Sequence, residues 1–298
     1  MTADITKILL AVRQGPSTDS PAVRRVIGLA RRGRLEVELL DSAYEPSLEG
    51  YLGHDEIYEP LRRRLLAQRV EALQGLTARL QAEGLRCSPR AQWGRPEDTV
   101  PERAREGGAG LVVVDGGSPQ ADLAHRDWQL IARSPVPVLV VRSDGSRPWR
   151  TIAAAVDPYR AHGKPRDLDV EILRAARVML KLSAASLKVV HCFTPVSLFA
   201  PDSALDGATL DSAEKAVEAA RLEALNSLVT HAGLPAESAV LARGKPADVL
   251  CEMASGGAAD LLVLGTVSRG RIGHLLVGST AERVLKHGPG DVLLAPPP

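Results

Sequence analysis

The strongest constraint on this chain is that its sequence repeats. The stretch Gly94-Arg95-Pro96-Glu97-Asp98, a helical segment and the apolar run Leu111–Val114 return 150 residues later as Gly244-Lys245-Pro246-Ala247-Asp248 and Leu261–Leu264. The opening run Lys7–Val12 returns as Thr151–Val156 at an offset of 144, and the closing run Val136–Val141 returns around Val292–Ala295. In 298 residues, such a period leaves room for two copies of one unit of ordinary domain size. The turn-rich segment Asp144-Gly145-Ser146-Arg147-Pro148 divides them into 1–147 and 148–298.

Within each copy, short apolar runs alternate with helical stretches. Strands are expected over 7–12, 36–41, 86–92, 111–115 and 137–142, and again over 151–156, 186–192, 237–242, 260–264 and 291–295. Apolar runs without polar alternation suit strands buried on both faces of a parallel sheet. Leu61, Leu65, Leu66, Val70, Leu73, Leu76 and Leu80 form a stripe at three- and four-residue steps, the mark of a long amphipathic helix. Ser20-Pro21, Pro96 and Pro246 mark helix starts. Strand–helix alternation with right-handed crossovers gives an α/β fold with a doubly wound sheet in each copy. Ligands of such sheets lie beyond the carboxyl ends of the strands at the switch point, after strands one and four.

Composition narrows the ligand. The formal charge is +1 and aromatic residues are 3% of the chain, so neither a basic surface nor a stacking platform for nucleic acid is expected. Apolar runs of about four residues are far short of the roughly 20 that span a bilayer, so no membrane partner is expected. The N-terminus carries Asp4 where a signal peptide would be basic. Cys87, Cys192 and Cys251 are 105 and 59 residues apart, which gives no disulfide framework and favours a reducing cytoplasm. No histidine pairs with another ligand type at metal-site spacing. Phosphate loops, nucleophile elbows and zinc-protease motifs are absent, so the chain does not read as an enzyme.

The loop after strand four of the second copy is distinctive. Gly265 leaves the strand, Gly270 and Gly273 lie in the loop, and Gly278-Ser279-Thr280 opens the next helix. Glycines let backbone approach a ligand, and a helix N-terminus offers unpaired N–H groups to phosphate. Ser279 and Glu282 also fit a capping box, which would fix the helix start without any ligand.

The segment resembles the universal stress protein family, whose nucleotide-binding members carry G-x-x-G, nine residues and G-[S/T] after strand four. Gly265 and Gly278 stand 13 apart as that pattern requires, and A-E-R-V-L-K-H-G-P-G-D-V-L-L follows. The resemblance covers both copies, as in tandem members of the family. It implies two five-stranded parallel sheets of order 3-2-1-4-5, paired through their fifth strands as a pseudo-dimer, with homodimerisation a further expectation. It also implies a non-catalytic stress-response protein binding ATP with Mg²⁺ in the second copy, at Asp157, Cys192, Gly265, Ser268, Gly278, Ser279 and Thr280. Ser268 stands where the pattern has its second glycine. If that backbone is left-handed, serine costs about 1–2 kcal/mol, a five- to thirty-fold loss of affinity. Asp157 reads alternatively as a turn residue before Pro158, and Cys192 as a small core residue. His191, at the end of strand two, reads as a core histidine.

The first copy lacks these features. Arg13 replaces the strand-one carboxylate, Asp115 ends strand four, and no G-[S/T] pair precedes Asp127-Trp128-Gln129-Leu130. Arg13 and Asp115 could pair across neighbouring strand ends. This copy reads as a partner unit with a different ligand or none. A nucleotide-free interaction scaffold and a carrier of another small ligand are the alternatives to an ATP-binding regulator.

Overall fold

Among the described residues ten strands lie in one sheet. The computed structural model describes residues 5–12, 19–118, 122–159, 167–195, 207–266 and 277–298. In the first module the strands are β1 (Lys7–Val12), β2 (Glu36–Ala43), β3 (Arg86–Trp93), β4 (Leu111–Asp115) and β5 (Val138–Val141). In the second they are β6 (Thr151–Ala155), β7 (Ser186–Phe193), β8 (Ala239–Arg243), β9 (Leu261–Gly265) and β10 (Asp291–Ala295). The sheet order is β3-β2-β1-β4-β5-β10-β9-β6-β7-β8, which is 3-2-1-4-5 read inward from either edge. All pairs are parallel except β5 with β10, where Val138, Leu139 and Val140 oppose Leu294, Leu293 and Val292. The two modules therefore meet through their fifth strands. Neither of these apolar strands is left as an open edge, which would be a liability.

Helices cover both faces. α1 (Pro21–Gly33), α2 (Asp55–Ala82), α5 (Leu168–Ser183) and α6 (Gly207–His231) pack on one face, and α3 (Pro96–Glu106), α4 (His125–Arg133), α7 (Pro246–Ser255) and α8 (Ser279–His287) on the other. Alternate strand residues serve the two cores: Ile8 and Leu10 join the first, Leu9 the second. Each core runs through both modules. At Gly33 a Cβ would lie 2.5 Å from the Leu182 side chain, so glycine lets α1 and α5 approach across the junction.

Asp291, with no exposure, ties the modules together. Its Oδ1 accepts the backbone N–H groups of Arg142 and Ser143, both at 2.9 Å. Its Oδ2 accepts Trp149 Nε1 at 2.9 Å and Arg25 Nε at 3.1 Å. The Arg25 guanidinium also lies 4.4 Å from the Trp149 ring centroid.

The expected strands are all present, with small shifts at their ends. β8 begins at Ala239 because Ala236–Ser238 form a 3₁₀ turn. α4 begins at His125, two residues before the expected start.

Candidate functional site

In the second module, the carboxyl ends of β6, β7 and β9 bring several expected residues to the switch point. Asp157 follows β6, is about a quarter exposed, and its backbone N–H donates to Asp169 Oδ1 at 3.0 Å. Asp169, buried in the first turn of α5, thus positions the turn that carries Asp157. Cys192, near the end of β7, is half-buried, and burial pushes its thiol up to about 11. It remains a neutral thiol at physiological pH and packs with the second core.

His191 is 2% exposed. Its Nε2 lies 3.1 Å from an Arg221 Nη1 that can only donate, so Nε2 accepts and Nδ1 carries the proton toward Val156 O at 3.2 Å. Burial lowers the imidazole's pKa, and the nearby Arg221 charge adds to this; the Val156 carbonyl and Asp157 oppose it. His191 is a neutral core histidine. Tyr159 stacks on it at 6.2 Å, and Arg221 of α6 lies over the Tyr159 and Phe193 rings at 4.9 and 5.6 Å. Tyr159 and Arg221 were not legible as site residues. Arg221 meets His191 across 30 positions, and only the rotational setting of α6 brings it there.

Gly265 ends β9, where a Cβ would lie 2.7 Å from Leu168. Its glycine is required by packing against α5. Thr266 is buried, and both its N–H and its hydroxyl donate to Ala295 O, at 2.8 and 3.3 Å. Ser268 lies outside the described residues. Gly278 is the N-cap of α8, with Ser279 and Thr280 as its first two helical residues. Among the described residues no side chain caps this helix, and Glu282 pairs with Lys286 at 2.7 Å instead. The capping-box alternative for Ser279 is therefore not realised, because the helix starts one residue earlier than such a box requires.

The first module differs at each equivalent point. Asp41 on β2 takes the place of His191 and lies 3.6 Å from Arg69 of α2. Burial raises the Asp41 carboxyl, and the Arg69 charge opposes it. Asp115 Oδ1 accepts the Gly117 N–H at 2.9 Å, and Asp127 Oδ2 accepts the Ala124 N–H at 3.1 Å. A carboxylate thus sits in the first turn of α4 and holds the amide of its N-cap residue, whereas Ala281 stands at that position in α8. The expected Arg13–Asp115 pair lies outside the described residues. A cavity of about 370 Å³ opens here, between the ends of β1, β2 and β4 and the starts of α3 and α4. The sequence reading of this module, a different ligand or none, leaves room for such a cavity. The signal in the sequence is Glu97, a carboxylate where the second repeat has the buried Ala247.

Residues 4–142 and 149–296 each match the universal stress protein family. The chain belongs to the universal stress protein family. It is 34% identical over 119 residues to a universal stress protein of Thermus aquaticus, covering 40% of this chain and 83% of that one. Universal stress protein E of Escherichia coli K12 is 24% identical over 314 residues, covering 97% and 93% of the two chains. Among solved structures, a functionally unknown protein of Pseudomonas aeruginosa PAO1 shares the fold with a TM-score of 0.70. The two are 24% identical, and the match covers 98% of this universal stress protein and 93% of the other chain. Family membership carries a stress-response role at the level of the family.

Proposed function

We propose that this chain is a non-catalytic, cytoplasmic stress-response regulator whose second module binds an adenine nucleotide, ATP with Mg²⁺. The observation that carries the reading is the contrast between the two repeats: α8 opens on Gly278 with the uncharged Ser279-Thr280-Ala281, while α4 carries the buried Asp127 carboxylate in its first turn, bonded to the Ala124 amide. Uncapped N–H groups with an adjacent Ser279-Thr280 pair suit phosphate oxygens. At the other end of the site, the partly exposed Asp157 carboxylate can accept hydroxyl or amine donors of a nucleoside. These residues fit an adenine nucleotide at both ends. In this reading Cys192 packs beside the base, Gly265 permits the turn out of β9, and Ser268, Gly278, Ser279 and Thr280 receive the phosphates. ATP with Mg²⁺ would bring charge and bulk to the switch point. Asp157 and Asp169 orient the nucleoside end, and no described side chain there is placed as a general base.

The units are taken to divide at 147/148, and a homodimer of the tandem chain is a separate expectation that light scattering would check. Calorimetry with Mg-ATP, ADP and AMP tests the central claim. Asp157→Ala and Gly278→Leu should each weaken ATP binding at least about tenfold while the circular dichroism spectrum is unchanged. A Kd weaker than about 1 mM for all three nucleotides would leave the interaction scaffold as the better reading.

A further inference from the structure

We propose that the first module binds a small organic cation, an amine or guanidine that also bears an anionic group, in the cavity at the ends of β1, β2 and β4. The inference stands apart from nucleotide binding in the second module. The cavity, about 370 Å³, is at the lower end of the size range of small-molecule pockets. Glu97 lines it from the first turn of α3, is 9% exposed, and its Oε2 is buried with no hydrogen-bond partner among the described residues. A buried carboxylate oxygen left without a donor is costly, and native proteins rarely keep one unless something satisfies it. The equivalent residue of the repeat is Ala247, buried and apolar, so the fold itself does not need a carboxylate there. Asp41 adds a second buried carboxylate, whose charge Arg69 meets as an ion pair at 3.6 Å.

Charge defines the ligand further. Seven of the 15 lining residues are charged, which argues against a lipid occupant. Four are carboxylates and three are guanidiniums, so the lining carries one net negative charge. The buried members, Asp41, Glu97 and Asp127, are acidic; of the guanidiniums, Arg69 lies inside and faces Asp41, whereas Arg95 and Arg126 are exposed, so the interior keeps a net negative charge. A cationic nitrogen therefore belongs inside and an anionic group at the mouth. Phosphate is the wrong occupant for the interior. Arg126 corresponds to Thr280 of the repeat, so a residue assigned to phosphate in one module supplies the mouth charge in the other.

Calorimetry of the full chain with L-arginine, L-lysine, agmatine and putrescine tests this. Arginine or lysine should bind with Kd below about 1 mM. Glu97→Gln should weaken that binding about 10- to 100-fold, the worth of a charge-assisted hydrogen bond. Glu102→Gln, on the same helix outside the cavity, should leave it unchanged. Arg126→Ala should weaken arginine more than agmatine, which lacks the carboxylate. Without ligand, the thermal midpoint of Glu97→Gln should equal or exceed that of the parent. A lowered midpoint would mean that Glu97 serves only the start of α3, and would overturn the proposal. So would binding that is unchanged in Glu97→Gln, absence of binding by all four cations, or displacement of arginine by AMP in an Asp157→Ala background. Because Asp157 lies in the other module, loss of nucleotide binding there should not alter arginine binding.

Discussion

Glu38 and His191 are buried ionisable side chains on equivalent strands, and they fail in different acid windows. Glu38 is 3% exposed. Burial pushes its carboxyl up, but Arg103, at 2.5 and 3.0 Å, and Lys7 outweigh that and hold it below the usual glutamate value. A carboxyl depressed in the folded state contributes stability above its unfolded pKa, which is lost as pH falls through the folded value. The Glu38 contribution should therefore fade below about pH 4.5. His191 is a base whose pKa is lowered by burial, so the unfolded chain takes its proton first, and stability falls as pH drops below about 6.5. One such proton gives a slope of at most about 1.4 kcal/mol per pH unit. Urea unfolding between pH 7.5 and 5.5 should show this slope in the parent, and His191→Gln, which keeps a donor for Val156 O and an acceptor for Arg221, should remove it. An unchanged slope in the variant would assign the proton elsewhere. At this scale the sequence marks Asp157 through its place after a strand. It hides Arg221 and Tyr159, whose partnership with His191 depends on helix rotation and a turn.

Elements were legible because their signals are local. Apolar runs place the strands to within two residues, and prolines after Ser20, Arg95 and Lys245 mark three helix starts. What misleads is a local signal with a tertiary cause. Gly265 reads as a residue that lets backbone approach phosphate, yet a Cβ there would lie 2.7 Å from Leu168 of α5. Gly265→Ala should therefore destabilise the protein by about 1–3 kcal/mol in urea even with no nucleotide present. A neutral result would restore the ligand-only reading of this glycine. Gly145 is the sharper case. Its φ is +74°, and a Cβ would lie 2.0 Å from Pro21 O, a backbone atom at the start of α1. Strain of the left-handed backbone and overpacking act together in Gly145→Ala, which should lose about 2–4 kcal/mol. Differential scanning calorimetry should register this as a lower midpoint.

At the scale of the molecule, the two modules share one sheet and two through-running cores, so they should unfold together. Circular dichroism reports both modules, whereas Trp93 and Trp128 lie in the first module and Trp149 at the joint with Asp291. Coincident unfolding curves from dichroism and tryptophan fluorescence would establish the single transition, and separated curves would refute it. The joint that enforces it was invisible in the sequence, since Arg25 and Asp291 are 266 positions apart and Asp291 reads only as the start of a strand. Its energetics are asymmetric. Asp291 satisfies Trp149 and two backbone N–H groups as well as Arg25, so removing the carboxylate strands several buried donors at once. Removing Arg25 leaves those three donors satisfied. Asp291→Ala should thus cost about 3–5 kcal/mol, and Arg25→Met distinctly less. For an isolated buried ion pair, replacing both partners by apolar residues often restores stability. Here Arg25→Met/Asp291→Leu should remain nearly as unstable as Asp291→Ala, because the apolar pair still leaves Trp149 Nε1 and the Arg142 and Ser143 amides without an acceptor. Recovery of the double variant to parental stability would show instead that the charge pair alone holds the modules together.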